Sequence, residues 1–251
     1  MVELDTAVLA RSRLRIEAFV VLGAAVGTWF VVAPHLHPLA TSEAVAVVAG
    51  GVFPATLGLV LLALPLARRP RESLVAAVLL ALVALACTIA GVGLAADFAK
   101  LWAAVFAGWA FLHLFEELSW VVLISVIIPA VDAISVWRGP THQIVSNPKH
   151  FHIYTDVAVA FPAPGGGAAD LGPPDILFYA LFLAAAVRFG LRPFWTWVGM
   201  TGMYSFTIVL TYVTSVGGLP ALPFLSFGFL AANADLLWRR LRRPQPPQAD
   251  A

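Results

Sequence analysis

Apolar residues in this chain come in long, nearly unbroken runs. Eight such segments can be marked, at 18–33, 44–66, 74–96, 101–115, 118–137, 176–191, 194–216 and 219–238. Most approach the ~20 residues a helix needs to cross bilayer hydrocarbon. None shows the alternation over ~10 residues expected of a membrane barrel strand. Glycine and proline recur inside several runs, which helices tolerate better in a membrane than in water. The pattern predicts an all-α polytopic transmembrane helix bundle of about eight spans, forming a single membrane domain over 1–251. Its expected parts are N-terminal helices over 1–117, a second helical group over 118–238, and a basic tail over 239–251 that is disordered. The only sizeable polar insertion is the loop 138–174, which contains a β-branched and aromatic stretch, Ile153–Phe161, followed by a Pro/Gly-rich breaker.

Composition agrees with this. The chain is 61% hydrophobic and only 12% charged, against about 25% charged in soluble domains. With a net charge of +1 there is no basic excess to point to nucleic acid. The sole cysteine, Cys87, lies within a segment, so no internal disulfide can form. No small-residue cleavage site follows the first run, so that segment is expected to remain a span.

The placement of cations predicts orientation. With a cytoplasmic N-terminus and eight alternating spans, the inner side holds Arg11, Arg13, Arg15, Arg68, Arg69, Arg71, Arg188, Arg192, Arg239, Arg240, Arg242 and Arg243. The outer side holds only Lys100, Arg138 and Lys149, so twelve of the 15 cations fall inside. The positive-inside rule then predicts a multi-pass protein of the cell membrane with both termini cytoplasmic. A single helix over 101–137 would flip the parity of everything after it. Two spans with a tight turn at 115–119, around Glu116-Glu117, are therefore expected.

Two carboxylates stand out against this apolar background. Asp132 lies in Pro129-Ala130-Val131-Asp132-Ala133-Ile134, with no cation in its own segment. A charged residue at the bilayer centre costs roughly 2.5–3.5 kcal/mol on insertion scales, and by default it reads as functional. The plainer reading is an interfacial aspartate satisfied by Ser135 or by backbone. Asp175 follows Gly172-Pro173-Pro174 and could equally be a helix start, with proline and an acidic residue in the first turn. Topology links the two. Both fall in the outer part of their spans, as does Pro220-Ala221-Leu222 at the head of the last span. Two carboxyls facing each other across a water can hydrolyse a peptide bond. Like charges a few Å apart cannot both ionise, so one abstracts a proton from water while the protonated partner polarises the scissile carbonyl.

These words in this order resemble the presenilin and signal peptide peptidase family of intramembrane aspartyl proteases. Leu219-Pro220-Ala221-Leu222-Pro223 matches the family's Pro-Ala-Leu motif. Gly172-x-x-Asp175, followed by Ile-Leu-Phe-Tyr, is similar to its Gly-x-Gly-Asp, and Trp137-Arg138-Gly139-Pro140 resembles the presenilin stretch after the first aspartate. The likeness covers 118–238. It implies that Asp132 and Asp175 are the catalytic pair, and that Gly172, Pro220, Ala221 and Leu222 bind substrate, with no cofactor and no metal. It also implies partners of one kind, transmembrane helices or signal peptides in a lipid bilayer. The inferred orientation favours type II substrates; self-association into a homo-oligomer is left open. Three features depart from the family. Val131 stands where it has tyrosine, Pro174 where it has its second glycine, and eight spans where it has nine.

An unwound substrate needs a sheet edge to replace its lost backbone hydrogen bonds. Ile153–Phe161 and Pro220–Leu222 are the expected edges. Two further functions stay open: a silent relative that binds helices without cutting, and a proton-coupled transporter or channel. The His35/His37 and His150/His152 pairs are too few for a metal centre. Asp235 and Arg239, four residues apart, are expected to form a local ion pair.

Overall fold

A computed structural model describes residues 2–138, 156–166, 168–214 and 219–241. The sequence expectations that fall on Gly139-Pro140, Lys149, residues 150–155 and 242–251 lie outside these residues. Nearly all the rest is helical. Helix α1 (Val2–Val32) ends in a 3-10 turn, Ala33–His35. Helix α2 (Thr41–Val47) passes through a π-helical turn, Val48–Val52, into α3 (Phe53–Ala63) and a 3-10 turn, Leu64–Arg68. Then follow α4 (Pro70–Ile89), α5 (Gly93–Leu112) and α6 (Leu118–Arg138). A hairpin of β1 (Val159–Pro162) and β2 (Ala168–Leu171) precedes α7 (Pro173–Arg188), α8 (Pro193–Thr214) and α9 (Leu222–Leu241). Among the described residues, five helical stretches are long and apolar enough to cross a membrane: Arg13–His35, Thr41–Arg68, Pro70–Ile89, Gly93–Leu112 and Leu118–Val136.

Local chemistry sets the breaks. Prolines sit in the first turns of α4, α7, α8 and α9, where the missing N–H has no helical partner to lose. Gly91 (φ 73°) and Gly190 (φ 59°) end α4 and α7 in the left-handed region that favours glycine. The break at Gly91 corrects the expected boundaries, which carried the third segment through Ala96. Asp97 and Lys100 enter α5 because they bond each other at 3.2 Å rather than meeting apolar surroundings alone. The expected turn around Glu116-Glu117 is present, with α5 and α6 as separate helices.

The bundle is layered around α7. Ile176 and every residue from Tyr179 to Ala186 are buried, against α5, α8 and α9. A helix apolar on all sides belongs inside protein. α4 and α6 show the reverse, exposing Leu74, Leu79, Leu82, Leu85, Ile127 and Val131. A continuous exposed apolar surface of that kind suits lipid contact. Glycine permits the closest approach to α7. A Cβ built on Gly108 of α5 would lie 2.2 Å from the Leu177 carbonyl oxygen, so only glycine fits there.

Contacts between helices distant along the chain give the bundle two chemically different ends. At one end arginines meet helix C-terminal carbonyls. Arg15 donates to Leu61 O and Leu62 O at 2.9 Å each, Arg188 to Leu112 O at 2.9 Å, and Arg240 to Phe189 O. Asn233 ties α9 to the start of α8. It donates to Thr196 Oγ1 at 2.7 Å and to Phe229 O at 2.9 Å, and accepts from Arg192 N–H at 3.1 Å. Asp235 pairs with Arg192 through two bonds of 2.9 and 2.8 Å. This corrects the expected Asp235–Arg239 pair: the fork offered by Arg192 across the helix seam outcompetes a single-turn contact.

Candidate active site

The other end holds the hairpin and the starts of α7 and α9. The hairpin is shorter and later than the expected strand. Within Ile153–Phe161, Asp156 and Val157 are helical and the strand begins at Val159. Its register pairs Val159 with Leu171, Ala160 with Asp170, Phe161 with Ala169 and Pro162 with Ala168. Phe161 is fully buried and packs on Phe53, with ring centroids 4.3 Å apart. Gly165 (φ 86°) closes the turn against Pro38, where a Cβ would come within 2.6 Å.

The outer edge of β1 is already occupied. Lys100 Nζ donates to Ala158 O at 3.1 Å, the Ala160 N–H goes to the Asp97 carboxylate, and Trp29 Nε1 donates to Pro162 O at 3.0 Å. Over residues 158–161 the expected edge is therefore corrected, because side chains of α5 take its outward polar groups. Backbone groups alternate sides along a strand. The other face of the hairpin, the outer side of β2 at Ala168 and Asp170, has no backbone partner among the described residues. Asp170 is exposed on its outer side, yet partial desolvation first and the nearby Asp97 charge second hold its carboxyl above the usual range, with Lys100 acting against both.

β2 leads directly into Gly172, the N-cap of α7, and three residues later into Asp175. Asp175 is in the first turn, and its carboxyl reaches back to the Gly172 N–H. That is half of a capping box. The helix-start reading of Asp175 is thus correct as local structure. Gly172 has ordinary extended backbone (φ −67°, ψ 147°), and a Cβ there would lie 3.1 Å from Asp175 Oδ2, so a side chain at this position would nudge that carboxyl. Pro174 is exposed in the first turn, and Val131 is exposed on α6.

Asp132 lies on α6, three residues after Pro129. Its Oδ2 accepts the Leu222 backbone N–H at 3.1 Å. Leu222 is the first residue of α9, so Asp132 caps that helix from across the bundle. Pro220 and Ala221 form the non-helical approach; Pro220 and Leu222 are buried. The charges of Asp132 and Asp175 act on each other. The structure thus brings Asp132 to the start of α9 beside Pro220–Leu222, and Gly172 beside Asp175, with the two carboxyls near enough for their charges to interact. The positive ends of α7 and α9 offset part of the cost of a carboxylate away from water.

Tyr204 of α8 completes the surroundings, and sequence reasoning missed it. Its hydroxyl donates to Asp175 O at 2.9 Å, and its ring stacks on Tyr179 with centroids 5.9 Å apart. Tyr179 in turn shares a 2.8 Å bond with Thr201. A tyrosine inside an apolar run is the signal that could have found it, since a buried phenol needs a partner. Among the described residues no cluster of three or more metal-ligating side chains occurs, and His35 and His37 bond carbonyl oxygens near their own turn.

Comparison with known proteins gives no match: no family model fits the chain, and no curated protein or solved structure is significantly similar to it.

Proposed function

We propose that this chain is a multi-pass intramembrane aspartyl endopeptidase that uses Asp132 and Asp175 to hydrolyse peptide bonds in transmembrane helices or signal peptides. The observation that carries the reading is the bond from Leu222 N–H to Asp132 Oδ2. Through it the Pro-Ala-Leu word meets one aspartate, and the charge of that aspartate acts on the other, which supports the reading. The same bond also fits the plainer reading of Asp132 as a carboxylate held by backbone; what favours catalysis is the second carboxyl, Asp175, near enough for the two charges to act on each other.

In the proposed reaction the ionised member of the pair removes a proton from water. The hydroxide equivalent attacks the scissile carbonyl, and the protonated member donates to its oxygen. The tetrahedral intermediate then collapses as the leaving nitrogen takes up a proton from the pair. Gly172 leaves room beside the Asp175 carboxyl. The unpartnered edge of β2, only a few residues before Asp175, offers an unwound substrate main-chain bonds in register with the site. By the charge rule the arginine-rich end lies in the cytoplasm, the aspartates sit toward the outer side, and type II or signal-peptide-like substrates fit that polarity.

The test is cleavage of a signal-peptide-like substrate by purified protein in liposomes, alongside Asp132→Asn and Asp175→Asn. Cleavage by the parent and by neither variant is the expected result. Binding without cleavage by the parent would instead indicate a silent helix-binding protein, and aspartate-dependent proton flux without cleavage a transporter.

A further inference from the structure

The seam between α8 and α9 carries a feature that the aspartate site does not use. Gly199 and Gly228 bring the two backbones into contact: a Cβ on Gly199 would lie 2.7 Å from Gly228 O, and one on Gly228 would lie 2.6 Å from Gly199 O. The result is a groove floored by Gly199, Gly202, Gly228 and Ala232 and walled by Trp195 and Phe227. Both walls are exposed on the outside of the bundle.

The two ends of the groove differ. Arg192 lines one end, forked onto Asp235. Arg239 lies one turn beyond Asp235, on the helical stripe that carries Gly228, Ala232 and Asp235. It has no carboxylate partner among the described residues. Arg192, Asp235 and Arg239 together leave one positive charge at this mouth, beside the exposed indole of Trp195. Interfacial tryptophans sit at headgroup depth. Along the same stripes in the other direction, Phe206 and Phe224 meet with ring centroids 5.9 Å apart and close the seam. From Arg192 to Phe206 the helix rises roughly 20 Å at ~1.5 Å per residue. That exceeds the ~15 Å depth of one leaflet, half of a ~30 Å hydrocarbon core.

We propose that this groove binds one acyl chain of an anionic phospholipid, whose phosphate rests on Arg239 and the Arg192–Asp235 pair. A groove with an apolar floor, one cationic mouth and one aromatic stop fits a single chain tethered to an anionic head. A helix laid along its full length would meet the Phe206–Phe224 pair. The inference rests on the chain lying in a bilayer and does not depend on the proposed proteolysis, because lipid retention is read with no substrate present.

The test is native mass spectrometry of the full chain in detergent, titrated with phosphatidylglycerol and phosphatidylcholine of identical acyl chains. The expected result is one phosphatidylglycerol retained at about fivefold higher occupancy, the effect of one arginine near an anionic surface. Arg239→Gln brings that occupancy down to the phosphatidylcholine level. Gly202→Leu fills the groove at a position where an added Cβ meets nothing within 4 Å, and it lowers retention of both lipids. Ala231→Leu, on the exposed rim, blocks it independently should Gly202→Leu fold poorly. Equal retention of the two lipids by the parent protein would overturn the proposal. So would groove-filling variants that keep phosphatidylglycerol, or that change only a dimer fraction.

Discussion

The two ends of the bundle treat helix termini in opposite ways. At the arginine-rich end, helix C-termini are saturated by cations: Arg15, Arg188 and Arg240 each donate to carbonyls of another helix or turn. At the hairpin end, helix N-termini face carboxyls: α9 meets Asp132 and α7 holds its own Asp175. Both arrangements complement the helix dipole. They differ in what remains available. The arginine end ties its helices together through Arg192, Asn233 and Asp235, and what it leaves over is cationic, as at Arg239. Among the described residues, the hairpin end leaves Asp132 and Asp175 with no ion-pair partner and a strand edge with no backbone partner. The first is built to hold helices together, and the second retains groups able to act on something else.

The contrast can be broken at several points. The largest effect is expected at Gly108, because any side chain there meets the Leu177 carbonyl 2.2 Å away. Gly108→Val should push α7, and Asp175 with it, out of register. Overpacking of this kind costs about 1–3 kcal/mol or more. Thermal unfolding should show the loss, and cleavage by the folded fraction should fall with it. Next come paired substitutions at the two ends. Asn233→Ala orphans Arg192 N–H and Thr196, a loss of about 1–3 kcal/mol, and should lower the melting midpoint while leaving kcat of the folded protein near the parent value. Tyr204→Phe keeps the ring stack and removes one bond to Asp175 O, worth about 1 kcal/mol. It should reduce kcat by more than its modest destabilisation explains. Equal kcat losses from Asn233→Ala and Tyr204→Phe would erase the distinction between the ends.

The smallest effect concerns Asp170. Its folded carboxyl binds a proton more readily than an unfolded one, so ionisation at neutral pH works against the fold. Asp170→Asn should therefore raise the melting midpoint slightly at pH 7. The gain should fade as pH falls through the raised value toward the unfolded carboxylate pKa of ~3.9. A gain that persists unchanged at low pH would mean that Asp170 acts through something other than its charge.

Much of this architecture is legible in the sequence, because lipid-facing helices leave continuous apolar runs and a paired carboxylate break such as Glu116-Glu117 marks a turn. Counting eight spans leads to the expectation that Asp132, Asp175 and Pro220–Leu222 lie near one another, and Asp132 does meet Leu222; five stretches among the described residues are long and apolar enough to cross a membrane. What sequence reasoning misses depends on contacts distant along the chain. Asp235 has an acceptable partner four residues away in Arg239, and only the α8–α9 seam reveals the better one in Arg192. Asp97 and Lys100 look like loop residues until the hairpin supplies Ala158 O and Ala160 N–H. β2 is Ala168-Ala169-Asp170-Leu171, of weak strand propensity, and it pairs because Phe161 is anchored on Phe53. Tyr204 carries no motif around it, so its bond to Asp175 emerges only from packing.

The central claim is that Asp132 and Asp175 act as one hydrolytic unit. The most direct test is the single-turnover cleavage rate of the parent protein, of Asp132→Asn, of Asp175→Asn and of the double variant, all in the same liposomes. Groups that act together are strongly non-additive. Each single substitution should therefore abolish cleavage as fully as the double one, by at least about a hundredfold, the lower end of a general acid–base contribution. A single variant that still cleaves at an appreciable fraction of the parent rate, or additive losses in the double variant, would contradict the account.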